Sequence, residues 1–484
     1  MALSYFQIIQ LIISVWVISP VSAALMNVTS CCQALATPLG TILNLQNTTA
    51  YDSALSSYWS AQEQSVRPSC ILRPASASDV SKALEILVPK GCIFAVRGGG
   101  HGALKGLANI QDGVTIDLRG LNSIEPLENN SIVAVGSGQS VGNVYTALQP
   151  LGITVSGGRS YDVGVGGSTL GDGWGWMSNE AGFACDNVVE YEVVLANGSI
   201  VAATNTTNTL LWRALKGGGS NFGIVTKFVY RTLPIGQIWA GDANYALNET
   251  ELPQLLGAVY NFTNNPQGDK KASTLFSFTY DATYGLIYWV QYVYTEPVTE
   301  APSVFDELLS LPGELRKNIT ITELPEFSYE YNLQTPDGLH TSKMQDVAQA
   351  RWTLSFQPLT SLMTDASLER GGNMLGIGSA PSEGLYLVLL SASFSDAEDY
   401  GKVSDAANEL LEYCTAAAKA RGVYRPWVEM NHAGYKQDPI ASYGPKNKEF
   451  LKDVANIYDP DAVFQRLMLG GCKLEDKCTG GFGQ

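Results

Sequence analysis

Short β-rich runs set between glycine clusters over residues 60–235, a change of texture after Pro234, and a return of Gly, Pro and aromatic punctuation near the C-terminus predict an α+β fold. With roughly 100–200 residues per domain, a chain of 484 residues has room for two or three. In the first region the strand signals are IFAV at 93–96, VTIDL at 114–118, IVAVGSG at 132–138 and YEVVLANGSIVAA at 191–203. The last of these folds back at Asn197-Gly198, a strong hairpin signal. Helical patterns interrupt the strands at 79–87, with Ser78 as the cap, and at 141–148. They fall too irregularly for a βα repeat. After Pro234 glycine thins. Strands STLFSFTY (273–280) and GLIYWVQYVY (285–294) alternate with helical patterns at 251–261 and 298–311, and a long amphipathic stretch covers 397–420. Residues 236–425 therefore read as a second domain, and 426–475 as a segment that returns to the first.

Composition narrows the function. Thirty Lys and Arg against 46 Asp and Glu leave a net charge of −16, which repels a polyanion and excludes nucleic acid as a partner. Charged residues make up 16% of the chain, below the roughly 25% of soluble domains, so neutral polar groups or sugars must cover the surface. Residues 6–23 form an apolar run ending in Val-Ser-Ala, and residues 1–23 read as a signal peptide. No later apolar run reaches the ~18 residues of a membrane span. The mature protein is expected to be secreted, monomeric and free of the membrane. Eight cysteines form no CxxC pair, and three histidines are too few for a zinc cluster, so disulfides are the expected use of the thiols. Sequons at Asn27, Asn47, Asn129, Asn197, Asn205, Asn248, Asn261 and Asn318 fit a secreted glycoprotein.

The chemistry lies in three glycine clusters. RGGGHG supplies Arg97, Gly98, Gly99, Gly100, His101 and Gly102 directly after a strand. It formally matches a dinucleotide fingerprint, but no helical period follows it. An anion-binding loop is the better reading: successive glycines let backbone N–H groups turn toward a pyrophosphate, and Arg97 adds charge. The second cluster, at 155–176, brings Ser156, Gly157, Gly158, Val163, Gly164, Gly166, Gly167 and Gly173. It is too glycine-dense for an ordinary strand or helix, since each internal glycine costs about 1 kcal/mol, and it suits close approach to a long, flat, phosphate-bearing ligand. The third, at 215–228, includes Gly223 and Val225 and ends in a strand.

These three clusters, with QDPIASYG and YDPDAVFQ near the C-terminus, make the chain resemble the berberine-bridge-enzyme-like branch of the vanillyl-alcohol-oxidase (PCMH-type) flavoproteins, in its fungal secreted form. The resemblance implies a two-lobed FAD-binding domain over 60–235 completed by 426–475, and a substrate domain with a large antiparallel sheet and flanking helices over 236–425. His101 falls where the family bonds a histidine to the flavin 8α-methyl. Ser160 stands where several members carry a second, cysteinyl bond, so a single tether is implied. Asp172 replaces a usual glycine.

The family's Tyr-x-Asn-Tyr strand aligns with Glu429, Met430, Asn431 and His432, which places Asn431 at the flavin. Glu429 or His432 could then act as base, with Tyr161 and Tyr435 as further candidates. On an extended segment Glu429 and His432 would face opposite ways; Glu429 would share the Asn431 face, with its pKa raised by burial. The implied activity is hydride abstraction from an alcohol or activated C–H carbon of a small molecule, a secondary metabolite, with oxygen as electron acceptor. The alternatives are a flavin-retaining cyclase, a carbohydrate oxidase, and a glycan-binding protein with a vestigial flavin fold. Trp289, Tyr292 and Tyr294 could stack a substrate or pack the sheet.

Overall fold

The computed structural model describes residues 28–265, 268–281, 285–333, 351–378, 384–394, 399–475 and 477–480. The expected signal segment and the Asn27 sequon lie outside the described residues. Helices and sheets mix throughout, as the α+β reading requires. Two small lobes come first. Strands β1 (Leu43–Leu45), β2 (Cys70–Leu72), β3 (Phe94–Arg97) and β4 (Val114–Asp117) form a sheet of order β1-β2-β4-β3. Strand β4 runs parallel to β2 and to β3. Every residue of β2 and β4 is buried, the covering on both faces that parallel strands require. One cover is the helix Ala77–Leu87, which buries Val80, Ala83, Leu84 and Leu87 at helical spacing. Its cap is Ser76, not Ser78: the Ser76 side chain takes the Asp79 N–H while the Asp79 carboxylate takes the Ser76 N–H, a reciprocal box that Ser78 cannot make. Disulfides Cys31–Cys92 and Cys32–Cys70 staple the helix Val28–Leu39 to this lobe.

The second lobe is antiparallel, in the order β5-β6-β10-β8-β9. It comprises β5 (Ile124–Leu127), β6 (Ile132–Gly136), β8 (Val188–Val194), β9 (Ile200–Thr204) and β10 (Ile224–Arg231), while the short β7 (Ile153–Thr154) pairs with β11 (Leu233–Pro234). The β8–β9 hairpin turns where Asn197-Gly198 predicts, with Gly198 at φ +84°. The chain comes back at its end: the Phe94 N–H donates to the Leu467 carbonyl (2.9 Å), and Phe464 and Met468 join the core beneath β3.

The third unit is a six-stranded antiparallel sheet, β15-β12-β14-β13-β16-β17. Its strands are β12 (Ile238–Ala246), β13 (Ala272–Asp281), β14 (Gly285–Tyr294), β15 (Glu314–Thr322), β16 (Arg351–Leu359) and β17 (Leu385–Ser393). One face packs an aromatic core of Trp239, Tyr245, Tyr288, Tyr292 and Phe305. The other carries Leu275, Val293 and Trp289 against the second lobe. The helix expected over 298–311 is broken into the turns Ser303–Phe305 and Asp306–Leu309, because Pro302 and Pro312 bound it too tightly for a longer element. The amphipathic stretch at 397–420 is the helix Tyr400–Ala420. A third disulfide joins Cys472 to Cys478, and Cys185 and Cys414 are free thiols.

Candidate active site

At the junction of the two lobes, three backbone segments meet with no side chain between them. A Cβ placed on Gly99 would stand 2.5 Å from Gly164 Cα, one on Gly166 2.9 Å from the Ser137 carbonyl, and one on Gly98 3.4 Å from that same oxygen. Only glycine permits this approach. The glycine-dense second cluster does form a helix, Val165–Gly171, contrary to the sequence expectation. It survives because Val165, Thr169 and Leu170 are buried and anchor it to the lobe, which outweighs glycine's low propensity. No helix follows the first cluster, so the dinucleotide fingerprint is a false match. Along this junction the Gly99 and Gly100 N–H groups make no hydrogen bond, and the buried Ser137 hydroxyl has no partner, among the described residues. N–H and O–H donors on a side-chain-free edge are the groups that cradle a pyrophosphate, and they fit FAD.

From behind, residues 58–63 brace the first loop. Trp59 N–H donates to the Gly100 carbonyl (3.1 Å), Ser60 Oγ donates to the Gly102 carbonyl (2.8 Å), and the Trp59 ring stacks on His101 at 4.6 Å and 15°. Buried Glu63 accepts the Gly106 and Ala108 N–H groups (3.0 and 2.6 Å), and burial pushes its carboxyl up to about 7. The sequence reading missed Trp59 and Glu63, which have no glycine motif to mark them. Arg97 is corrected. Its guanidinium donates to the Ala54 and Ser57 carbonyls (both 2.7 Å) and lies 3.6 Å over the Tyr58 ring, so it supports the loop and adds no charge to its open side.

In the second cluster Ser156, Gly157 and Gly158 are buried, the Ser156 hydroxyl on the Gly182 carbonyl (3.1 Å) and the Gly158 carbonyl on Tyr145 Oη (2.8 Å). The Val163 side chain lies 3.5 Å from the Cβ position of Gly158. Gly173 takes φ +79° against Ala184. Val225 pairs with Val193 in the β8–β10 ladder, and Gly223, just before β10, fits against Val193; of the third cluster it is Gly219, where an added Cβ would stand 3.1 Å from Met430 Sδ, that reaches the site. Ser160 is buried and bonded to Asn332, whose amide reaches Asp162 (2.6 Å).

The largest correction concerns residues 429–432. They are not extended. Met430–His432 is a single 3₁₀ turn with Glu429 as its cap, the Glu429 carboxylate accepting the Asn431 N–H at 3.1 Å. The turn brings His432 Nδ1 into hydrogen-bond contact with Glu429 Oε2, so the two candidate bases form one pair instead of facing apart. The Asn431 amide locks the turn in place by donating to the Ser168 carbonyl (2.9 Å) and to Asp172 Oδ1 (2.8 Å). Glu429 and Asp172 are buried, whereas the His432 side chain is 41% exposed.

Electrostatics follow from this arrangement. Burial opposes ionisation of Glu429, but the His432 ring, its hydrogen bond and the bonds from Asp172 and the Asn431 N–H outweigh it, so the carboxyl falls below its usual range instead of rising as the sequence led us to expect. Burial opposes the charged imidazole too, yet the Glu429 carboxylate beside it carries His432 upward. Burial first, and the Glu429 charge second, drive Asp172 well above its usual range. Arg159, also missed, is a buried cation whose field reaches Glu429 and Asp172; it lies 5.2 and 5.6 Å from the Trp176 and Trp174 rings and bonds Gln357 of β16. A charge inside a run of glycine and apolar residues was its signal. The other two candidates lie elsewhere: Tyr161 Oη contacts Thr146 and Asn143 (3.1 and 3.3 Å), and Tyr435 Oη donates to the Lys105 carbonyl (2.9 Å).

A two-lobed nucleotide cradle closed by a sheet domain, with a carboxylate–imidazole pair at the junction, defines an FAD-dependent oxidoreductase. Residues 68–204 match the FAD binding domain family. The chain is 34% identical over 456 residues to the FAD-dependent monooxygenase FUP4 of Fusarium proliferatum, covering 86% of this chain and 87% of that one. It superposes on Physcomitrella patens BBE-like 1 with a TM-score of 0.74 at 19% identity, over 92% of this chain and 99% of the other. Glucooligosaccharide oxidase from Acremonium strictum, a 6-S-cysteinyl, 8α-N1-histidyl FAD protein, gives a TM-score of 0.70 at 18% identity, over 90% and 97%. The chain belongs to the fungal FAD-dependent monooxygenases, shares its fold with BBE-like proteins, and is a flavin enzyme acting on a small molecule.

Proposed function

We propose that this enzyme is a secreted oxidase that takes hydride from an alcohol or activated C–H carbon of a flat secondary metabolite and passes the electrons to oxygen. The observation that carries the reading is the Glu429–His432 pair, its imidazole exposed and its carboxylate buried behind. With Nδ1 held by Glu429, His432 Nε2 is the ring nitrogen left to receive the substrate's hydroxyl proton as hydride leaves the carbon. Glu429 fixes the ring and stabilises the imidazolium that results. FAD, when bound, supplies the hydride acceptor. Residues 98–100, Ser137 and 164–167 would hold its phosphates, and His101 would carry it covalently.

On the proposed substrate side Tyr331 and Trp289 are partly exposed and stacked at 6.2 Å, with buried Trp176 behind Tyr331 at 5.7 Å. Tyr292 is spent on the core, and Tyr294 on a bond to Asp269 (2.7 Å), so of the three β14 aromatics Trp289 is the one that fits substrate contact. An anaerobic screen of aromatic alcohols and oligosaccharides, followed by flavin absorbance, tests the class. Bleaching by the aromatic alcohols is expected, and bleaching by oligosaccharides alone would overturn it.

A single covalent bond is expected because Ser160 cannot supply a thiolate. Yellow colour should stay with acid-precipitated protein, the tryptic flavopeptide should contain His101, and His101→Ala should release the flavin. Flavin still covalently bound in that variant would mean a second tether.

Export is supported by the apolar N-terminal run and by seven sequon asparagines, Asn47, Asn129, Asn197, Asn205, Asn248, Asn261 and Asn318, all exposed. Protein from a secreting host should begin near Ala24 and lose mass on enzymatic deglycosylation; a cell-retained product that keeps Met1 and carries no sugar would rule export out.

A further inference from the structure

Asp172 and Glu429 are both carboxyl groups, 0% and 2% exposed, held on either side of Asn431. Three of their four oxygens have donors. Asp172 Oδ1 accepts from the Gly173 N–H and from Asn431 Nδ2 (2.8 Å), Glu429 Oε1 from the Asn431 N–H (3.1 Å), and Glu429 Oε2 from His432 Nδ1. The fourth, Asp172 Oδ2, is buried with no donor among the described residues, and the side chain it belongs to meets Glu429. An acceptor facing an acceptor in a dry interior is repulsive. A proton between them turns the contact into a charge-assisted O–H···O⁻ bond.

We propose that Asp172 and Glu429 share one proton, held on Asp172 Oδ2 and donated to Glu429, which makes Asp172 a positioning residue that keeps Glu429 ionised behind His432. The shared proton rests on the donorless Asp172 Oδ2 and on the two carboxyls meeting beside Asn431, while the positioning role rests on the reading of His432 as base. The charged and titratable groups around the pair agree with this assignment. Arg159 favours a carboxylate but forms no salt bridge among the described residues; Tyr443 and Cys185 are buried phenol and thiol groups held neutral by burial; Asp186 and Lys216 act on Cys185. Burial and the Glu429 charge leave the proton on Asp172, and His432 holds the charge on Glu429.

The test uses the flavin-loaded full chain and two readouts that need no substrate. Infrared spectra at neutral pH should contain the C=O band of a buried protonated carboxyl that vanishes in Asp172→Asn. The His432 titration midpoint, followed by NMR, should not move in that variant, because an amide that donates to Glu429 replaces a group that was already neutral. If Asp172 were ionised in the native protein, Asp172→Asn would remove a negative charge near the ring and lower the midpoint by about 1 unit or more. That drop, or a carboxyl band unaffected by Asp172→Asn, would overturn the proposal. Should the band and midpoint behave as expected while His432→Ala still reduces flavin at the native rate, the shared proton stands and the assignment of the base fails.

Discussion

Replacing His432 with alanine is expected to slow anaerobic flavin reduction by on the order of 100-fold or more, the usual contribution of a positioned general base, with FAD still bound. Glu429→Gln should cost less, because the imidazole remains and loses only its anionic support. The pH profile separates the two roles. A base works when neutral, so the native reduction rate should rise with pH through a midpoint above the ordinary histidine value, since Glu429 carries His432 upward. In Glu429→Gln that support is gone, and the rising limb should move to lower pH with a lower plateau. In His432→Ala the limb should disappear. Stopped-flow reduction with a true substrate, normalised to bound flavin, makes the measurement. A native rate in His432→Ala would remove the ring from the mechanism.

The sequence ranked Glu429 first and set His432 aside, and the reason is instructive. The two-residue period that sends residues three apart to opposite faces holds for extended backbone, whereas here the chain makes one tight turn. That turn is fixed by Asn431 bonding to Asp172 and to Ser168, 259 and 263 residues away, a tertiary contact that no local pattern encodes. Arg97 was misjudged for a similar reason: a basic residue flanking a glycine loop suggests an anion ligand, but carbonyls of residues 54 and 57, distant in sequence, take its N–H groups.

What was legible had a local cause. Glycine runs marked where backbone meets backbone, Asn197-Gly198 marked the hairpin, and His101 stood out inside its loop. Asp172 was visible as a departure from the family glycine, but its meaning needed the burial of its neighbour. The helix expected at 298–311 failed on chemistry present in the sequence, since prolines at 302 and 312 leave little room between them.

Gly164→Ala is expected to destabilise the protein and yield it colourless, whereas Gly167→Ala should yield it colourless alone. A Cβ on Gly164 would stand 2.5 Å from Gly99 Cα, and the obstacle is backbone, so no rotamer change relieves it. Neither side can easily retreat. Gly164 belongs to the turn that bridges to Ser140 and bonds Ser168 Oγ (2.8 Å), while the Gly99 loop is tied through Gly100 to Trp59. Forcing the segments apart should cost about 1–3 kcal/mol, the usual penalty of overpacking, and would displace His101 from the position its bond to the flavin requires. Gly167 is different: it is exposed, nothing lies within 4 Å of its Cβ position, and it sits in the helix Val165–Gly171. Alanine there should be neutral to mildly stabilising for the fold, by up to about 1 kcal/mol. Its methyl would nevertheless stand on the open side of the junction, where the cofactor's phosphates would lie. Thermal unfolding and flavin content per chain, read together, decide the matter. A Gly167→Ala protein with full flavin would show that this open edge is not the cofactor face, and a Gly164→Ala protein of native stability would show that the two glycine loops have room to move apart.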